Sequence, residues 1–204
     1  MALAPSPGLL GVLERARRLG VLGPGPVQDH ITHAERFVDA VHDLPEGSVL
    51  VDLGSGAGVP GLVVAQARPD LQLLLLDSLE RRIALLREGV AELGWEERVT
   101  VLLGRAEDLG RDGQWRGRAD AVTARSFGPP ATTAECAAPL LRVGGRLVVS
   151  EPPGGSDRWP AEGLAQLGLV ADSPGEGVRV LRQAVLCPEA FPRRVGVPAK
   201  RPLF

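Results

Sequence analysis

The sequence predicts an α/β fold with a mostly parallel central sheet, helices on both faces and a short helical N-terminal cap. From Val49 onward, short apolar runs alternate with segments of helical period, which implies βαβ units. The run 71–76 is apolar on both faces and suits a central buried strand, and a glycine-rich turn follows the first strand. A chain of 204 residues that is 44% apolar can bury the core of one domain. Residues 1–47 are expected as the cap, 48–190 as the main domain and 191–204 as a basic, extended tail.

Residues 9–19 predict a helix with Leu10, Leu13 and Ala16 on one face and Arg15, Arg17 and Arg18 crowding its end. Pro24-Gly25-Pro26 breaks the chain, and a second helix over 32–41 has Phe37, Val38 and Val41 to bury. Pro45-Glu46-Gly47 leads into a strand at 49–53, followed by helix 61–67, strand 71–76, helix 79–93 and strand 99–103. Strand 121–124, helix 132–141 and strand 146–150 come next, with Gly144-Gly145 as the turn that feeds the last of these. After a helix at 159–167, residues 169–171 and 178–186 form an antiparallel hairpin on one sheet edge. There is no internal repeat.

Lys and Arg number 23 against 25 Asp and Glu, a net charge of −2, so no wholesale cationic surface exists and any polyanion must be met by a local patch. Lys200 is the only lysine, and with 26 glycines and 18 prolines the arginine bias is compositional. Cys136 and Cys187 lack the spacing of a redox or metal motif and are expected as reduced core thiols in a cytoplasmic protein. His30, His33 and His42 are irregularly spaced for a metal, so no metal is expected, and they are assigned to capping or solvent. No apolar run approaches the roughly 20 residues of a membrane span, and a monomer is expected.

Between Val51 and Gly61 the chain reads Val-Asp-Leu-Gly-Ser-Gly-Ala-Gly-Val-Pro-Gly. Gly54, Ser55, Gly56, Gly58 and Gly61 form a turn whose amides can be pressed against a ligand at the start of the next helix, a nucleotide-type site. Such turns also serve dinucleotides, and the neighbouring acids discriminate. Asp52 can accept from loop amides, lie near a cationic amino-acid moiety, or act as a structural cap. Asp77 ends the second strand about 20 residues on, where a carboxylate bonds ribose hydroxyls. Gly104-Arg105-Ala106-Glu107-Asp108 follows the third strand, where backbone amides can hold an adenine. Together these favour S-adenosylmethionine over a dinucleotide.

The same stretch, with Leu76-Asp77-Ser78-Leu79-Glu80-Arg81-Arg82, Gly104-Arg105-Ala106-Glu107, Thr123-Ala124-Arg125-Ser126-Phe127 and the ending 192–203, resembles the ribosomal small-subunit methyltransferase G family, also called glucose-inhibited division protein B. The resemblance spans residues 49–204 and implies a Rossmann-like class I methyltransferase that methylates N7 of a guanosine in 16S ribosomal RNA, free or in the small subunit. By resemblance Gly54, Gly56, Asp77, Ala106 and Glu107 contact the cofactor, while Arg125 and the tail arginines lie near the RNA. The family's N-terminal Asn-Leu-Thr element is absent, and its Lys-Gly after the fifth strand is replaced by Glu151-Pro152-Pro153-Gly154, which reverses a charge.

Guanine N7 carries a lone pair and no proton, so its methylation needs alignment and no general base. An amine or hydroxyl acceptor, on a small molecule or protein, would need a base, for which Glu151 is the candidate. A non-catalytic ligand-binding assembly factor is the third reading. Arg125 can position the acceptor guanine or a phosphate, or form a salt bridge with nearby loops. Phe127 can stack on a base or pack in the core. Arg193, Arg194, Lys200 and Arg201 are the one dense basic cluster, suited to phosphates or to a solvated tail. Arg81 and Arg82 are assigned to solvent or to pairs with Glu80 and Glu88.

Overall fold

The computed structural model describes residues 4–152, 158–175 and 177–204. Two helices, α1 (Pro7–Arg18) and α2 (Val27–Ala40), precede β1 (Val49–Leu53), α3 (Gly61–Ala67), β2 (Gln72–Asp77), α4 (Glu80–Glu92) and β3 (Val99–Leu103). A short α5 (Ala106–Leu109), β4 (Ala119–Ala124) and α6 (Pro130–Ala137) lead through a 3₁₀ turn into β5 (Leu141–Ser150). The chain ends with α7 (Ala161–Gln166), β6 (Leu169–Gly175), β7 (Val178–Gln183) and α8 (Val197–Lys200).

The seven strands lie in the order β3-β2-β1-β4-β5-β7-β6, with β7 antiparallel to both its neighbours. Alternation along each strand divides the core in two, because successive side chains point to opposite faces. Leu50, Leu73 and Leu75 pack with α1 to α4 through Leu13, Phe37, Leu62 and Ile83, while Val51, Leu53, Leu74 and Leu76 pack with Ala134, Leu140 and Trp159 on the other face. Sequential strands run outward from β1 in one direction and return through β4 in the other. The carboxyl ends of β1 and β4 therefore flank the topological switch point, where open α/β sheets leave a crevice.

Helix α2 starts five residues earlier than its sequence pattern suggests, because Val27, His30 and Ile31 continue the buried stripe of Ala34 and Phe37. The cap is pinned to the sheet by Arg68, which donates to Val41 O and Leu44 O at 2.6 Å each and pairs with Asp70. Helix α1 starts at an N-cap, Ser6, whose hydroxyl accepts from the Leu9 amide.

Two expectations are corrected. Gly144-Gly145 is no turn but an irregularity inside β5, where the pairing jumps from Ala119↔Leu141 to Ala121↔Arg146; a β-bulge tolerates this where two glycines supply the backbone freedom. The tail is not simply extended, since it contains α8 and packs on α6. Arg111 donates to Pro192 O, and Arg116 donates to Cys187 O and Phe191 O, holding the approach to the tail. Cys136 and Cys187 are buried free thiols, and burial pushes both pKa values up, Cys187 to about 11, which keeps them unreactive. No helix among the described residues is long and apolar enough to cross a membrane.

Candidate active site

At the switch point β1 runs into Gly54, whose φ of +66° suits glycine. A Cβ there would stand 2.8 Å from the Phe127 ring, so the loop after β4 sits directly on the loop after β1. The turn is closed by its own backbone: Ser55 N donates to Leu76 O at 2.9 Å and Gly58 N to Ser55 O at 2.7 Å. At Gly61 a Cβ would meet Asp52 Oδ2 at 2.7 Å, and that closeness lets the Gly61 amide donate to the same oxygen at 3.3 Å.

Three carboxylates hold this end of the sheet, each with different partners. Asp52 is fully buried and accepts from Thr123 Oγ1 at 2.6 Å as well as from Gly61. Desolvation raises its pKa to about 6, against hydrogen bonds from Thr123 and Gly61 and the charge of Arg125. Asp77 accepts from the Gly56 amide and the Leu79 amide at 3.0 Å each and from Arg82 at 3.3 Å, tying the turn to the start of α4. Glu107 accepts from the Gly196 amide at 2.9 Å and pairs with Arg105 at 3.3 Å. Burial pushes its pKa up, but the Gly196 and local amides and the Arg105 guanidinium outweigh burial and leave it below the usual carboxylate value.

Two cavities open between these loops. The larger, about 250 Å³, is walled by Asp77, Gly104, Arg105, Ala106, Glu107 and Phe127, with Ala199 of the tail at its edge. The smaller, about 190 Å³, lies between the glycine turn, Arg125 and residues Val21, Leu22 and Gly23 of the cap. They share Gly54, Arg82 and Ser126 as common walls.

The family model for rRNA small subunit methyltransferase G matches residues 27–151. A ribosomal RNA small subunit methyltransferase G of Kineococcus radiotolerans is 42% identical over 81% of this chain and 68% of its own length. Counterparts from Roseiflexus sp. (40%; 88% of this chain, 80% of the relative) and Moorella thermoacetica (35%; 79% and 72%) carry the same name. The chain belongs to the rRNA small subunit methyltransferase G family.

This methyltransferase shares its fold with solved structures of much lower identity. A candidate S-adenosyl-L-methionine-dependent methyltransferase from Methanococcus maripaludis superposes with a TM-score of 0.60 at 13% identity, over 89% of this chain and 96% of that one. A geranyl diphosphate methyltransferase in complex with SAM gives 0.56 at 19% identity, over 70% and 66%. The fold is thus Rossmann-like, of class I methyltransferase type.

Within this methyltransferase G fold, Gly54, Asp77, Ala106 and Glu107 line the larger cavity, as does Phe127, while Gly54, Ser55, Gly56 and Arg125 line the smaller. Asp52, Gly58 and Gly61 line neither. Asp52 turns inward to brace the turn against α3 and β4, so it takes the structural role among those open to it. Arg193 is not free for RNA, because its guanidinium and its own amide are committed to the buried Glu135. Arg194, Lys200 and Arg201 are exposed.

Glu151 accepts from Trp159 Nε1 at 2.7 Å and from Arg158 at 3.1 Å and lines neither cavity; Pro153 and Gly154 lie outside the described residues. His30 is buried instead of solvent-facing. Arg81 donates to Leu19 O, and Arg82 pairs with Asp77 and not with Glu80 or Glu88. Sequence reasoning therefore missed Arg82, whose place five residues after the strand-end acid was the available signal. It also missed Ser126, the one described non-glycine residue with positive φ, at +55°. Such strain costs about 1–3 kcal/mol and gathers at functional sites, but no sequence pattern marks it.

Asp52 also sets a pH dependence. Its folded pKa lies above the ordinary 3.8, so the folded state holds the proton more tightly than the unfolded one. The associated stability is full below pH 3.8 and is lost as pH rises through about 6, on the order of 2–3 kcal/mol in all. Asp52→Asn, neutral at every pH, is expected to lack this decline when urea unfolding is compared from pH 4 to 7. Parallel stability curves for the two proteins would show that Asp52 does not carry it.

Proposed function

We propose that this protein transfers the methyl group of S-adenosylmethionine to N7 of a guanosine in 16S ribosomal RNA. The larger cavity fits the adenosine part of that cofactor. Asp77 stands where ribose hydroxyls can donate to it, Glu107 and the 104–106 backbone offer polar partners to an adenine, and Leu76 and Phe127 supply apolar contact. Gly54 and Ser126, shared by both cavities, direct the amino-acid part toward the smaller one. When bound, the cofactor supplies an electrophilic methyl on sulfur; the protein contributes alignment.

The observation that carries the N7 reading is the lining of the smaller cavity. Its described residues include the arginines Arg82 and Arg125 but no carboxylate and no imidazole. A base is needed to deprotonate an amine or hydroxyl acceptor, and none stands there; N7 needs none. Glu151, the base that another acceptor would have required, is held by Trp159 and Arg158. Arg125 can donate to guanine O6, which adenine replaces with an amino group, so it favours guanine as well as placing it. Arg194, Lys200 and Arg201 of the tail, all exposed, are assigned to RNA phosphates. The protein is assigned to the cytoplasm, where ribosomal RNA is found.

The test is to map N7-methylguanosine in 16S ribosomal RNA from cells with and without this gene, beside transfer of labelled methyl groups to small subunits by the purified protein. Loss of one N7-methylated guanosine from the deletion strain, and its restoration in vitro, is expected. An unchanged modification map with no label in RNA would overturn the proposal, and cofactor binding without transfer to any acceptor would favour a non-catalytic role.

A further inference from the structure

His30 lies in the first turns of α2, is buried, and connects three segments of chain. Its Nε2 is 3.1 Å from both Gly23 O and Pro24 O. Carbonyl oxygens only accept, so Nε2 carries the proton. In the neutral ring that leaves Nδ1 with a lone pair, and Arg125 Nη2 donates to it. One turn on, His33 is half-buried, and its pKa is lowered chiefly by desolvation and then by the charges of Arg125 and Arg36. Burial lowers the Arg125 pKa, and the Asp52 carboxylate opposes that shift, favouring the charged guanidinium. Arg125 is therefore steadied electrostatically from β1 and by a directional hydrogen bond from the cap.

Gly23, one of the two carbonyls that fix the ring, also lines the smaller cavity together with Arg125. The imidazole thus ties the arginine that faces into this cavity to the cap segment beside it. A long, flexible guanidinium gains most in precision from a rigid acceptor, because misplacement of a positioning group by about 1 Å is enough to lose roughly a hundredfold in rate.

We propose that His30 is a positioning residue for methyl transfer, holding the Arg125 guanidinium at the acceptor cavity through its Nδ1 lone pair. This rests on the reading of Arg125 as the residue that meets the acceptor base. His30→Ala is expected to lower kcat for methylation of small subunits about tenfold and to leave the calorimetric Kd for S-adenosylmethionine unchanged. His30→Gln, whose side-chain amide offers an N–H₂ donor and an oxygen acceptor in place of Nε2–H and the Nδ1 lone pair, is expected to recover most of that loss.

The double variant His30→Ala, Arg125→Ala is expected to be no slower than Arg125→Ala alone, because the histidine acts through the arginine. Independent, multiplying losses would overturn the proposal, as would a His30→Gln protein that folds, binds cofactor and is as slow as His30→Ala. If His30→Ala fails to fold, the comparison of His30→Gln with His30→Leu decides in the same way. A full-speed Arg125→Ala protein would instead overturn the reading of Arg125 itself.

Discussion

Arg193→Ala is expected to destabilise the protein by about 3–5 kcal/mol, enough to consume much of a domain's margin. Glu135 is fully buried on α6 among alanines. Its Oε1 accepts from both the amide and Nε of Arg193 at 2.8 Å, and its Oε2 accepts from Nη2 at 2.6 Å. The same Nη2 donates to Arg201 O at 2.7 Å, so one guanidinium closes the tail back on itself. The attraction holds the Arg193 pKa above its ordinary value, against the opposing effect of burial.

Truncation leaves a buried carboxylate with one backbone donor, and it is that uncompensated charge, more than the lost contact, which sets the cost. The double replacement Arg193→Met, Glu135→Gln, which removes both charges, should be much milder. Urea unfolding of the two proteins measures the difference, and a loss below about 1 kcal/mol for Arg193→Ala would mean that water reaches Glu135. A second readout is cofactor affinity, because the tail so anchored donates the Gly196 amide to Glu107 and places Ala199 at the larger cavity.

The pair also shows where sequence becomes silent. Four cations in the last residues of a chain resemble a solvated arm, and nothing near them announces a partner 58 positions upstream on a small-residue helix. By contrast, the sheet was legible because strand burial has a strict local period, and the crevice followed from the order of elements. Gly54, Asp77 and Glu107 were legible as a set because each lies at, or within a few residues beyond, the end of one of three consecutive parallel strands. Asp52 was legible as important but not in direction: a strand residue shows one of two faces, and its position next to Gly61 depends on how closely α3 approaches. His30 has no local signature, since its partners are two carbonyls in a proline-rich linker and an arginine just past the end of a distant strand. Long-range pairs of this kind are fixed by packing and carry no periodicity.

Asp77→Ala is expected to weaken S-adenosylmethionine binding by roughly a hundredfold to a thousandfold. The carboxylate is almost completely buried in this structure, yet it borders the larger cavity, so its oxygens serve the fold and the opening together. Oδ2 holds the Gly56 amide and Arg82, and Oδ1 holds the amide of Leu79 ahead of α4. A hydrogen bond to a charged group contributes about 1.5–3 kcal/mol, so two ribose hydroxyls donating to Asp77 account for the lower bound, at about 1.4 kcal/mol per tenfold. Loosening of the Gly56 turn adds to it, because the turn no longer arrives in the binding geometry. Asp77→Asn keeps one acceptor oxygen but sets an N–H₂ against amides and hydroxyls that also donate, and it should fall between the two. Calorimetry at a temperature where the ligand-free variants remain folded separates affinity from stability. An Asp77→Ala protein that binds within tenfold of the wild type would place the ribose elsewhere, and the larger cavity would then lose its claim to the adenosine while the smaller kept Arg125.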